Sequence, residues 1–223
     1  DVIKYFKEDK KKLRKLKSIS YKLGDKIINN PSKELIKDLD SLPFPARDLL
    51  PNHLYRGFYP HESPLITVLS SRGCPFQCIY CPYPIAQGNQ FRARSPENVV
   101  KELLGIKKII NYKYVLFRDA VFTFDIKRAE EICKLMIKNN LNIKWRCETT
   151  TSKLNPQLLA LMSKAGCIGL DLGLETGNKE LMKKYAYKTG GIDQIKKIFD
   201  ACKKVNIETL AFVLEGLPGE TLK

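Results

Sequence analysis

From residue 65 onward, short apolar, β-branched runs alternate with stretches in which apolar residues recur every three or four positions. The runs fall at 65–70, 113–117, 143–147, 167–174 and 208–214, and each reads as a strand. Between the first two, Val99, Leu103, Ile106 and Ile110 share one helical face, with Val100 and Leu104 beside it. Ser95 and Pro96 supply the N-cap and first position of that helix. Asp125 caps a second helix, whose face holds Ile126, Ala129, Ile132, Cys133 and Met136. Asn155-Pro156 opens a third, and Gly166 ends it. The fourth is interrupted near Gly190-Gly191 and carries Ile192, Ile195, Phe199 and Cys202 on one side.

Strands separated by helices predict parallel pairing, because a helix returns the chain to the same end of the sheet. Right-handed crossovers then wind the sheet into part of a barrel. The expected fold class is α/β, a parallel (β/α) partial TIM barrel over residues 61–223. In such a barrel the chemistry gathers at the C-terminal ends of the strands. Residues 1–60 read as a basic helical segment followed by an extended arm, since Leu42-Pro43-Phe44-Pro45 and Pro51 disfavour a compact unit. The last residues, LPGETLK, read as a loop and the start of another helix, so a core truncated at both ends is expected.

Composition narrows the classes. Apolar residues make up 43% of 223, which supports a packed core and excludes wholesale disorder. No apolar run approaches the roughly 18 residues of a membrane span, and the N-terminus lacks a signal-peptide core, so a cytoplasmic protein is expected. The net charge of +15 attracts polyanions. Much of it lies in the first 22 residues, where nine basic side chains face Asp1, Glu8 and Asp9. No aromatic or arginine-rich readout pattern accompanies them, so a solvated basic face is favoured over nucleic-acid binding.

Seven cysteines is an odd number and does not suggest a disulfide framework. Cys133, Cys147, Cys167 and Cys202 sit in apolar patterns and read as small buried hydrophobes. The other three, Cys74, Cys78 and Cys81, are spaced C-x3-C-x2-C in SRGCPFQCIYC, directly after the first predicted strand. Three soft thiolates suit zinc or an iron–sulfur cluster. A structural zinc site wants a fourth ligand, and His53 and His61 lie upstream of the loop. Cys147 or Cys167 would serve only by converging on the loop. A cubane held by three cysteines keeps one iron open for a substrate or cofactor. Gly73 permits a close backbone turn, Pro75 stiffens the first interval, and Tyr80 offers a ring to a flat heterocycle.

This loop resembles the signature of the radical S-adenosylmethionine (SAM) superfamily. Further stretches, SLPFPARDLLP, FRARSPENVVKE, FRDAVFTFD, GLETG and GLPGET, are similar to its cobalamin-linked branch, from about residue 20 to the last residue. The resemblance implies a 4Fe–4S cluster on Cys74, Cys78 and Cys81 whose open iron binds SAM. Reductive cleavage of SAM would give a 5′-deoxyadenosyl radical that abstracts hydrogen from a substrate. It also implies cobalamin, held by a domain absent from these residues, and an electron donor such as flavodoxin or ferredoxin. Asp119 aligns with an acceptor for the SAM amino group and Glu175 with a ribose contact. Ala120 stands where many relatives carry a second acid, and Thr150 where they often carry arginine. Methyl transfer to an unactivated carbon of a small-molecule or peptide substrate is the expected reaction. A methylthiotransferase acting on tRNA or protein is the second reading, and a non-catalytic zinc and nucleic-acid module the third.

Overall fold

A computed structural model describes residues 2–32, 34–57, 64–109, 112, 114–185 and 187–221. His61, the predicted element ends Ile110 and Lys113, and the last two residues lie outside the described residues. The chain divides into two compact units, Asp1–Lys37 and Asp38–Lys223.

The smaller unit has a short helix α1 (Val2–Glu8), a 3-10 turn over Lys10–Lys15, and a hairpin of β1 (Ser20–Leu23) and β2 (Lys26–Asn29). The hairpin replaces part of the expected arm. Gly24-Asp25 makes its two-residue turn, with Gly24 at φ +60°. The side chain of Asn30 donates to Leu13 O at 2.7 Å and ties the hairpin back to the turn.

The larger unit begins with the proline-rich arm and runs through β3 (Leu65–Val68), β4 (Ser71–Arg72), α2 (Tyr83–Gln87) and β5 (Arg92–Ala93). It continues with α3 (Pro96–Ile109), β6 (Tyr114–Phe117), α4 (Ile126–Lys138), β7 (Lys144–Thr149), α5 (Pro156–Lys164) and β8 (Cys167–Glu175). It closes with α6 (Lys179–Tyr185), α7 (Ile192–Lys204) and β9 (Glu208–Val213). Strands β3, β6, β7, β8 and β9 form one parallel sheet in that order, so neighbours in the sheet are successive crossovers. This is the expected partial (β/α) barrel, and the five predicted strands are its five strands.

One face of the sheet packs on the helices. Ile66, Val68, Val115, Phe117, Trp145, Leu170 and Leu172 meet Val99, Leu103, Ile132, Leu158, Met162 and Ile198 there. Trp145 is fully buried, stands edge-on to Phe117 at 5.5 Å, and donates Nε1–H to Ala165 O at 2.9 Å. The four scattered cysteines are buried. The other face is ionic: Arg146 pairs with Asp171 (3.3 Å) and Glu208 (3.7 Å), and Arg118 pairs with Glu148.

The arm does not stand apart from the barrel. Arg47 donates to Thr67 O at 2.8 Å and to Glu102 at 2.9 Å, while Arg94 takes the other oxygen of Glu102 and Leu69 O. These guanidinium groups cap one carbonyl of β3, an edge strand, and one just beyond its end. Among the described residues, no helix is long and apolar enough to cross a membrane.

Candidate active site

The β4–β5 hairpin lies just beyond the end of β3 and encloses the cysteine loop. Gly73 starts the loop at φ +82°, and a Cβ there would meet Gln90 O at 2.0 Å. No residue with a side chain fits without moving that backbone. Cys74 N donates to Gly88 O at 3.1 Å, and Cys81 N to Cys78 O at 3.1 Å. Phe76, between the first two thiols, meets Phe124 edge-on at 6.0 Å, and Phe124 packs on Phe91 at 4.8 Å.

Cys74 and Cys78 are buried, Cys81 is half-buried, and all three are free. Burial raises the Cys74 pKa. The Phe76 N–H and the Lys188 ammonium oppose this, while nearby Cys78 and Cys81 add to it. The three sulfurs therefore feel one another. No three His, Cys, Asp or Glu side chains among the described residues converge to hold a single ion.

The sequence reading missed Lys188. It sits on a 3-10 turn (Tyr187–Thr189), more than a hundred residues from the cysteines, and no local spacing marks it. Its ammonium lies 3.1 Å from Glu175 Oε1 and 5.7 Å from the Tyr80 ring centroid. Burial works to lower its pKa, but Cys78, Glu175 and Cys81 outweigh burial and raise it. Lys188 is a fixed cation facing the thiols. The end of β7 positions it: Thr150 Oγ1 donates to Lys188 O at 2.7 Å, Ser152 donates to the same oxygen, and Thr151 donates to Thr189 O. Thr150 therefore holds a cation in place rather than presenting its own side chain, and it is 1% exposed.

Glu175 ends β8 at φ +68°, a left-handed conformation uncommon for a residue with a side chain. A register shift between Gly173 and Glu175 accompanies it. A Cβ on Gly173 would lie 2.3 Å from Glu175 Oε1, so the carboxylate folds back over that glycine. Tyr80 is half-buried and packs on Leu181, Tyr185 and Leu217. Its pKa is raised by burial, then by Glu175 and Cys78.

Asp119, the expected acceptor for the SAM amino group, is fully buried, accepting from Ser71 Oγ at 2.5 Å and from Ser70 Oγ at 3.1 Å, with its pKa raised by burial. Arg128 donates to Ser70 O at 2.7 Å beside it, and burial lowers the pKa of that guanidinium. Asp119 therefore grips the two residues that lead into the cysteine loop. The structure brings Cys74, Cys78, Cys81, Tyr80 and Glu175 together around Lys188, and sets Asp119 beneath them as an anchor.

A parallel partial barrel with three free thiols in a loop beyond its first strand defines a core built to carry a metal–sulfur group at the strand ends. The Radical SAM superfamily matches residues 68–223, and the chain belongs to that superfamily. It is 30% identical over 218 residues to an uncharacterized methyltransferase of Pyrococcus horikoshii, covering 95% of this chain and 45% of that protein. It is 29% identical over 206 residues to the anaerobic magnesium-protoporphyrin IX monomethyl ester cyclase of Rubrivivax gelatinosus, covering 91% of this chain and 36% of the cyclase. Among solved structures, the cobalamin-dependent SAM radical enzyme OxsB superposes with TM-score 0.73 at 20% identity, covering 97% of this chain and 33% of OxsB. The radical SAM methyltransferase TsrM of Kitasatospora setae superposes with TM-score 0.63 at 22% identity, covering 70% of this chain and 32% of TsrM. At those identities the likeness is one of fold. The chain spans less than half the length of these relatives.

Membership brings a 4Fe–4S cluster and SAM as the cofactors of the superfamily. The residues fit them. The three thiols are soft ligands on one rigid loop. The buried hydroxyl of Tyr80 feels Glu175 and Cys78, and that of Tyr83 feels Asp119 and Cys74, so the space beside the thiols is lined with polar groups suited to a polar ligand.

Proposed function

We propose that this chain is the catalytic core of a cobalamin-linked radical SAM methyltransferase. The observation that carries the reading is the cysteine loop at the strand ends, faced by Lys188 and Glu175, in a chain alignable over nearly its whole length with a methyltransferase. Cys74, Cys78 and Cys81 hold the cluster, which when bound supplies the electron that cleaves SAM.

The other roles belong to the chain's own side chains. Lys188 offsets the negative charge that three thiolates bring into a half-buried site and offers a donor to an anionic group of the cofactor. Glu175 holds that ammonium and keeps an acceptor at the end of β8 for a hydroxylated ligand. Tyr80 presents its hydroxyl between Glu175 and Cys78. Asp119, through Ser70 and Ser71, sets the entry to the loop, and the Phe76–Phe124–Phe91 cluster packs its first turn. The cobalamin is supplied from outside residues 1–223, the substrate is a small molecule or peptide, and a flavodoxin or ferredoxin delivers the electron.

The test is anaerobic reconstitution with iron and sulfide, followed by reduction in the presence of SAM, for this chain and for a longer form that includes a cobalamin domain. The proposal expects 5′-deoxyadenosine or a methylated product from the longer form. If the longer form loads a cluster and turns SAM over to neither, the reading fails.

A further inference from the structure

A cavity of about 370 Å³ lies between the arm and β3. It is distinct from the Lys188–Glu175 site, and its size is in the range of small-molecule sites. Four arginines line it, Arg47, Arg72, Arg94 and Arg118, against the single carboxylate of Glu102. Glu102 is 3% exposed and engages Arg47 and Arg94. Arg118 pairs with Glu148, which does not line the cavity. Arg72 makes no ion pair among the described residues, and the buried Nε of Arg47 has no acceptor. The remaining wall is apolar, from Leu42, Pro43, Phe44 and Pro45, and the Arg94 guanidinium lies 5.4 Å from the Phe44 ring centroid.

Guanidinium groups gathered around a single carboxylate leave positive charge that a multiply charged oxyanion neutralises. Their fork geometry matches phosphate oxygens. The apolar wall suits an organic body attached to that oxyanion. A cavity of this size suits a small molecule. We propose that this cavity binds a phosphorylated small molecule, with the phosphate monoester on Arg72 and Arg118 and the carbon body along Leu42 and Phe44. Arg72 lies two residues before Cys74 and Arg118 directly after β6, so the ligand is held beside the entry to the cysteine loop. This goes beyond the radical chemistry and does not depend on it.

Calorimetric titration of the reconstituted chain with phenyl phosphate, without SAM or reductant, tests it. One saturable site is expected, binding phenyl phosphate more tightly than inorganic phosphate or benzoate. R72Q and R118Q should each weaken it at least ten-fold, and R72K, which keeps the charge and loses the fork, several-fold. K197Q, an exposed charge change on α7, should leave it within two-fold. Unfolding midpoints measured alongside identify any variant that has lost its fold, and R72K and R118Q then carry the test. Absence of saturable binding, equal affinity for benzoate, unchanged affinity in folded R72K and R118Q, or an equal loss in K197Q would overturn the site. So would an oligonucleotide that displaces phenyl phosphate at lower concentration through the same arginines. Failure here leaves 5′-deoxyadenosine formation untouched, so the two proposals fail separately.

Discussion

Lys188 and Glu175 form a pair that burial makes both costly and necessary. Their side chains are 17% and 6% exposed. Removing one partner strands the other in low dielectric, a change that costs about 3 kcal/mol or more. K188M is therefore expected to lower the urea-unfolding free energy by about that amount, while K188R recovers most of it. Equal stability of K188M and wild type would show that the pair is not the site's electrostatic centre. Gly173 makes a second residue-scale case. G173A places a methyl group where Glu175 Oε1 now lies, and overpacking of this kind costs about 1–3 kcal/mol. Loss of cluster loading in G173A, read by iron content, would tie that carboxylate's placement to the loop.

Asp119 yields a pH prediction with a definite sign. Its folded pKa is raised, chiefly by burial. The folded state then holds a proton that the unfolded state has already released. Between the ordinary carboxylate value and the raised one, stability falls as pH rises. D119N keeps the shape without the titration, so its stability should be flatter across that window. Parallel wild-type and D119N slopes in pH-dependent urea unfolding would contradict the assignment.

At the scale of elements, Glu102 on α3 joins the arm to the barrel by holding Arg47 and Arg94. E102L leaves two largely buried guanidinium groups without their carboxylate. It should cost about 3–5 kcal/mol and expose the Leu42–Pro51 arm to limited proteolysis. An arm equally resistant in E102L would mean that its packing, not the ion pairs, secures it.

The parallel sheet was legible because its strands are short β-branched runs and its helices carry regular apolar faces. Both periodicities are local properties of the chain. The hairpin at Tyr21–Ile28 was not recognised, although Gly24-Asp25 is a turn signal; this stretch was assigned to the extended arm instead. The cysteine loop, Tyr80 and Glu175 could be placed from spacing and strand ends. Asp119 was expected at the cofactor through the family resemblance, but its contacts with the hydroxyls of Ser70 and Ser71, which come from another element, could not be read from the sequence. Lys188 left no signal, since it is brought to the thiols by the hydroxyls of Thr150, Thr151 and Ser152, just after β7, and by Glu175 at the end of β8. Contacts made by side chains on separate crossovers depend on the fold, and no window of sequence contains them.

At the scale of the whole molecule, the five-stranded sheet sets its helices on one face and an ionic network on the other, and gathers the thiols at one end of the strands. The chain covers less than half the length of the curated relatives described above. The claim on which everything else rests is local: three thiolates hold a cubane and leave one iron free. Electron paramagnetic resonance of the reconstituted, reduced chain, recorded before and after SAM carrying an isotopically labelled amino nitrogen is added, tests it most directly. The account predicts a 4Fe–4S signal that changes on addition, shows hyperfine coupling to the labelled nitrogen, and is absent from C78A. A cluster signal indifferent to SAM, or tight loading of one tetrahedral zinc in place of a cluster, would contradict it.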